Sequence, residues 1–305
     1  MESPHIDLNE SLDDALPKPV HIVTDEDMVA FREQQRLNPD AGPDVFISPL
    51  GDVSVQGYPN DRTPQHNGVS EILGVVQILE GAGIPCCMVA EPALIYYGTG
   101  RVMVEWIMCV PTDQLEAAAA LFRAKLDTFE PFRPSALSRP QGMEHLFPRF
   151  KFDGLRLFFI LMSAQACHIP CRPENIEYSP TGLPYPKLPI FAQSLLDTRN
   201  FVDLEDLIDG MNLTLDWGME NLDLEGTIDA DWARWKANLL IGGQASEDQV
   251  PGWCANPMKR LDAWTEMVSD DAKKMRQGHK YLPSYETRFW KRGQKDPRLR
   301  KREYC

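Results

Sequence analysis

The sequence predicts an α+β protein: a small mixed sheet with flanking helices, followed by a mainly helical C-terminal half. Three observations carry that expectation. Ile84 to Ala90 and the end of Arg101 to Val110 are apolar runs of strand length. Asp153-Gly154, set between Arg149 to Phe152 and Leu155 to Met162, is a strong hairpin signal. Beyond the Pro-rich Ile169 to Pro189, helices dominate over about 188–198, 202–211, 229–240 and 257–276.

The elements follow from local chemistry. Residues 1–20 are polar and acidic and are expected to be disordered. His21 to Gln35 suggests a short strand and a helix, and Asp44 to Ser48 a strand among loops rich in Pro, Gly, Asn and Asp. Ser70 is placed to cap a helix whose Ile72, Val76 and Leu79 share one face, with Gly81 and Gly83 ending it. Pro92 suits the first turn of a short helix, Ala93 to Tyr97, with Gly98 as its stop. Thr112 is expected to cap an amphipathic helix reaching Leu126, and Pro131 to Pro140 reads as loop. The expected organisation is a disordered start (1–20), an α/β core (21–165), a helical half packed on it (166–272) and a basic arm (273–305).

Composition narrows the class. The chain has 305 residues, of which 43% are hydrophobic and 25% charged, as in an ordinary folded protein. No apolar run approaches the roughly 20 residues that span a bilayer, so no membrane partner is expected. The start has neither a basic n-region nor an apolar h-region, so no signal peptide is expected and the cytoplasm is the expected compartment. Seven cysteines, three of them in apolar runs, read as reduced and mostly buried thiols. The net charge of −14 is unevenly spread. Lys273 to Cys305 holds twelve Lys/Arg and three Asp/Glu, a local +9, leaving −23 for the rest. Lys291, Arg292, Lys295, Arg298, Arg300, Lys301 and Arg302 are thus the candidate nucleic-acid-binding residues, beside aromatics that could stack on bases. The alternative is that the tail folds over the acidic body.

Four segments carry a family likeness: Leu94 to Arg101 (LIYYGTGR), Trp106 to Pro111 (WIMCVP), Gly182 to Leu188 (GLPYPKL) and Trp217 to Gly226 (WGMENLDLEG). They resemble a group of filamentous-fungal proteins with a nucleotidyltransferase-like core, over about residues 70–240. In that fold a strand ends in a Gly-Gly or Gly-Ser turn, a short helix follows, and the next strand carries two carboxylates at i and i+2. The resemblance therefore implies a nucleotidyltransferase-like mixed sheet. Residues i and i+2 of a strand point to one face, so two carboxylates there can share divalent metal and stabilise both oxygens of an in-line phosphoryl displacement. The turn presents backbone N–H groups to phosphate.

This chain departs from that pattern. Met103, Glu105 and Ile107 occupy the expected metal face, and Phe158 stands where a third acid would align. The phosphate turn reads Ala90-Glu91. One carboxylate of three cannot hold two metals, so no metal and no cofactor is expected, and nucleotidyl transfer would need acids rearranged from Asp197 to Asp231. Glu105 is the candidate catalytic base, with a structural partner in Arg101 or Arg156 as the alternative. Glu91, at a helix start, is either a cap or a partner for a cationic substrate group. Arg101 could hold phosphate or Glu105. Asp197 to Asp231 contains eleven acids and one Arg, and Asp203, Glu205, Asp206 and Asp209 fall partly on one helical side. Asp203, Asp206 and Asp209 are the candidate binders of a cationic, guanidinium-like group.

Cys167-His168-Ile169-Pro170-Cys171 has metal-ligand residue types, but a zinc site needs four ligands and no second pair is evident in sequence. Trp217, Trp232, Trp235 and Leu239 read as packing residues.

The fungal arginine-containing cyclodipeptide synthases, which the chain could resemble, imply a concrete function. Aminoacyl-tRNA would be the partner of the basic arm, the acidic cleft would take an arginyl group, and an already activated ester needs a base and positioning rather than two metals. The alternatives are a binding or regulatory module and a metal-dependent nucleotidyltransferase with rearranged acids.

Overall fold

The computed structural model describes residues 61–101, 103, 105–132 and 142–277, all within one compact unit, Asn60–Cys305. The expected elements His21 to Gln35 and Asp44 to Ser48, and the candidate basic residues from Lys291 to Arg302, lie outside the described residues.

The sheet has five strands: β1 (Cys87–Met88), β2 (Trp106–Val110), β3 (Phe129–Pro131), β4 (Arg149–Phe152) and β5 (Phe158–Ser163). Their spatial order is β1-β2-β5-β4-β3. The central pair β2 and β5 is parallel, with Trp106 opposite Phe159 and Val110 opposite Ser163. The other pairings are antiparallel. A mixed α+β architecture is thus present. All five residues of β2 are buried, as a central strand covered on both faces requires.

Helices α1 (Val69–Gly81), α2 (Glu91–Tyr96) and α3 (Leu115–Arg123) accompany the sheet. Phe122 of α3 packs edge-on to Phe129 and Phe159, with ring centroids 5.1 Å away in both cases. Phe150 and Phe152 complete this aromatic cluster. Each fully buried Phe contributes about 1.5–3 kcal/mol of hydrophobic stabilisation. After β5 a single helical turn, α4 (Ala164–Cys167), starts at Ser163, whose Oγ accepts from Ala166 N.

The helical half contains α5 (Leu188–Asp197), α6 (Phe201–Met211), α7 (Leu215–Asn221), α8 (Ala230–Ile241), α9 (Arg260–Val268) and α10 (Asp270–Gln277). Thr214 and Asp229 cap α7 and α8 by accepting from the backbone N–H three residues on. Among the described residues no helix is long and apolar enough to cross a membrane.

Several expected boundaries shift. The apolar run Ile84 to Ala90 is almost wholly buried, yet only Cys87 and Met88 pair as strand; one more backbone bond, Val89 N to Ile107 O, follows before Ala90 turns the chain into α2. β2 begins at Trp106 rather than Arg101. Helix α1 starts at Val69, with Gly68 at φ 75° before it, so Ser70 lies inside the helix and its Oγ donates to Glu71. Thr112 does not cap α3; it opens a 3-10 turn and accepts from Gln165 N instead. The Pro-rich stretch holds a small hairpin, β6 (Ile176–Tyr178) with β7 (Pro184–Pro186). The helix expected over 257–276 breaks at Ser269, where extended backbone separates α9 from α10. The boundary expected at residue 273 falls inside α10, whose Lys273 donates to Leu213 O.

Two of the four segments of the family likeness, Leu94 to Arg101 and Gly182 to Leu188, meet in space. Tyr96 of α2 stacks on Tyr185 of β7 with centroids 4.0 Å apart, and Tyr97 donates to Pro186 O. Trp217 packs against Trp264, and Arg260 bridges Asp197 and Asp223. The first two contacts fasten α2 to the β6–β7 hairpin, and the others tie the helical half together.

Candidate functional site

A cleft of about 670 Å³ opens between the sheet and the helical half. Its floor is hydrocarbon: Val89, Ile107, Met162 and Ile169. Phe191, Ser194 and Leu195 of α5 form one wall, and Trp232 and Lys236 of α8 lie across from the sheet. Charge sits at the margin, with Glu144 and Asp203 as acids and Arg199 and Lys236 as bases.

Ala90 lines this cleft at the start of α2 with φ 54° and ψ −135°. That backbone state suits glycine and strains any residue carrying a Cβ. Its carbonyl accepts from Leu94 N, so the turn opens the helix as a glycine turn would. Glu91 is the first residue of α2.

Glu105 lies one residue before β2. Its Oε2 sits 2.7 Å from a terminal guanidinium nitrogen of Arg149, with the two side chains 21% and 14% exposed. The partner is thus Arg149 of β4, neither Arg101 nor Arg156. Arg149 Nε has no hydrogen-bond partner of its own among the described residues, so the pair rests on this single close contact. Arg149 also lies over the Phe132 and Phe158 rings, 4.8 and 5.1 Å from their centroids. Phe158, at the position aligned with the third acid, therefore supports a cation of the chain itself. Burial raises the Glu105 carboxyl pKa, Arg149 opposes that, and Glu144 and Glu91 reinforce it. Ile107, two residues on, lines the cleft, whereas Glu105 stands behind its wall.

The three carboxylates expected to hold a guanidinium do hold guanidiniums, and both belong to this chain. Arg101 bonds Asp203 at 2.8 Å and Asp206 at 2.5 Å. Asp209, buried, pairs with Arg276 at 2.8 Å. Asp203 alone of the three lines the cleft. Burial raises its pKa, Arg101 and Asn200 lower it, and Glu91 and Asp206 push it up again. Glu91 thus contributes negative potential to both Glu105 and Asp203.

Sequence reasoning missed Glu144, Arg199 and Lys236, which sit in segments without local chemical patterning. Burial lowers the pKa of Lys236, with Glu144 partly offsetting it, and its Nζ lies 5.6 Å from the Trp232 ring centroid. A second cavity of about 640 Å³ lies alongside, sharing Ile169, Ser194 and Trp232 with the cleft. In it His168 Nε2 meets Asp229 Oδ2 at 3.0 Å. The only spatial cue to that pair in sequence is His168's place in the Cys-His-Cys stretch, and there its imidazole turns away from both thiols to Asp229. Trp232, expected as a packing residue, borders both cavities and donates its indole N–H to Gln165 O.

Cys171 also finds an unexpected setting. Its thiol is pushed down to about 5 by hydrogen bonds with Cys109 and Cys87, against burial. Cys87 and Cys109 face each other across β1 and β2. The second cysteine pair absent from the local sequence is thus supplied by the sheet.

Compared with protein-family models and with curated proteins, the chain matches none.

Proposed function

We propose that this chain is a transferase on a nucleotidyltransferase-like core that acts on an activated aminoacyl ester. The most concrete form is aminoacyl-tRNA-dependent synthesis of an arginine-containing cyclic dipeptide. The observation that carries the reading is the cleft floor. A glycine-type turn at Ala90 leads into α2 beside it, as phosphate-binding turns do, while Ile107 and Met162 offer hydrocarbon where metal-binding carboxylates would be needed. Such a floor suits a substrate already activated as an ester, for which orientation and one proton acceptor suffice.

The margin supports this reading. Glu144 and Asp203 match an α-ammonium or guanidinium group, and Arg199 and Lys236 match the phosphates of a nucleotide end. In each peptide-bond step the free amine attacks the ester carbonyl, a carboxylate takes its proton, and that proton is handed to the ribose oxygen, which leaves as a hydroxyl as the C–O bond breaks. Asp203, which lines the cleft and whose carboxyl burial pushes up, is the acceptor proposed for that proton.

A second reading is a binding module, favoured by one observation: Arg101, Arg149 and Arg276 already engage Asp203, Asp206, Glu105 and Asp209. Mass spectrometry of extracts from a host expressing the wild-type chain, Asp203→Asn or Lys236→Met separates the two. A new mass matching an arginine-containing cyclic dipeptide, lost in both variants, supports the transferase. No new mass from soluble, folded wild-type protein sinks it and leaves the binding module, to be pursued by pull-downs with and without residues 278–305.

A further inference from the structure

We infer that Cys87, Cys109 and Cys171 bind one zinc ion, with Cys167 as the fourth ligand, in a structural site beside the cleft. The sulfurs of Cys87, Cys109 and Cys171 all lie within 4.8 Å of one another, and all three residues are buried. Three points no more than 4.8 Å apart can be reached from one centre within about 2.8 Å, and Zn–S bonds are near 2.3 Å. Inward shifts of about half an ångström therefore bring these three sulfurs to bonding distance.

The ligands come from three separate places. Cys87 and Cys109 are direct cross-strand partners. Cys171 follows α4, and its Sγ lies 3.4 Å from Cys109 O and 3.5 Å from Pro85 O. Cys167 ends α4, and its thiol neighbours that of Cys109. His168, at φ 52°, reverses the chain between Cys167 and Cys171 while its imidazole goes to Asp229. The turn thus returns Cys171 toward the sheet and leaves histidine out of the set.

Isolated buried thiols are common and behave as small hydrophobes. Convergence of three thiols from an edge strand, a central strand and a turn, with a further cysteine at the end of α4, is a different situation. Soft thiolates favour zinc over magnesium or calcium, and a closed four-thiolate set is the structural rather than the catalytic arrangement. Each ligating thiol loses its proton on binding, so metal uptake releases protons to solvent. The site would tie the edge strand β1 to the turn after β5. β1 pairs over only two residues, so such a tie compensates for a short ladder.

The test is zinc content of the full chain, purified in reducing buffer without an affinity histidine tag or chelator. About one zinc per chain is expected, falling to below about one tenth in Cys109→Ser and Cys171→Ser, with Cys254→Ser unchanged. Because core serines could unfold the protein, wild-type chain reconstituted with Co²⁺ supplies a second measurement. Intense thiolate-to-cobalt absorption together with tetrahedral d–d bands supports the site. Wild-type protein that takes up neither metal, that keeps its zinc in all the serine variants, or that holds Cys87 and Cys109 as a disulfide overturns it.

Discussion

Ala90→Gly should stabilise the protein, although it removes a methyl group from a folded chain. Ala90 holds φ 54° and ψ −135°, a state costing an L-residue about 1–3 kcal/mol. Two terms oppose the relief. Glycine loses more backbone entropy on folding, about 0.5–1 kcal/mol. The methyl is only half-buried at the cleft, so its lost burial costs about 0.5 kcal/mol. The balance is a gain of about 1 kcal/mol, with strain the largest contribution. For a domain of this size that raises the melting temperature by about 2–4 °C, readable by circular dichroism and by urea denaturation with an unchanged slope. Ala90→Val, β-branched at the same backbone state, should lose about 2 kcal/mol or more. If Ala90→Gly destabilised the protein by 0.5 kcal/mol or more, the turn would not carry the strain assigned to it.

Three further outcomes follow from packing and charge. A Cβ at Gly218 would lie 2.0 Å from Trp264 Nε1, so Gly218→Ala should cost about 2 kcal/mol net of its helix-propensity gain, and Trp264→Leu in the same chain should recover most of it in a double-mutant cycle. Arg260→Met would strand the buried Asp197 carboxylate, 2.5 Å from Arg260 Nε, at a cost of about 2–4 kcal/mol, and a loss under about 1 kcal/mol in urea unfolding would contradict it. For Asp229, burial alone would raise the carboxyl, but hydrogen bonds from Trp232 N and His168 bring it below its ordinary value. Its stabilisation is therefore complete above the unfolded pKa near 3.9 and fades as pH falls through the lower folded value. Asp229→Ala should cost about 1 kcal/mol at pH 7 through the lost cap and His168 contact, and equal stability of the two proteins at pH 7 would contradict it.

What the sequence disclosed was local. Pro92 and Gly98 bound a helix because one fixes φ and the other permits φ 92° at the stop. Asp153-Gly154 turns the chain with Gly154 at φ 65°, as its hairpin signal requires. The helical half was legible from spacing, apart from α7 (Leu215–Asn221), which no expected helix covered, and the break at Ser269. What stayed hidden depended on separation along the chain. Arg101 meets Asp203 across about a hundred residues, and Glu105 meets Arg149 rather than a nearer arginine, because strand order decides who is adjacent. Cys87 and Cys109 looked like ordinary core thiols until β1 folded back on β2. The cleft itself had no sequence signature, since Glu144, Arg199 and Lys236 acquire meaning only from the surfaces that surround them.

The parallel pairing of β2 with β5 has a consequence during synthesis. β2 is apolar at every position, and its parallel partner leaves the ribosome roughly fifty residues later, about 3–10 s at ordinary elongation rates. Until then one whole edge of β2 can pair only with strands from other chains. Slower growth temperature does not shorten that interval, but chaperones that shield an extended apolar segment do cover it. The yield of soluble protein should therefore respond to co-expressed chaperones more than to any substitution at the surface of the helical half.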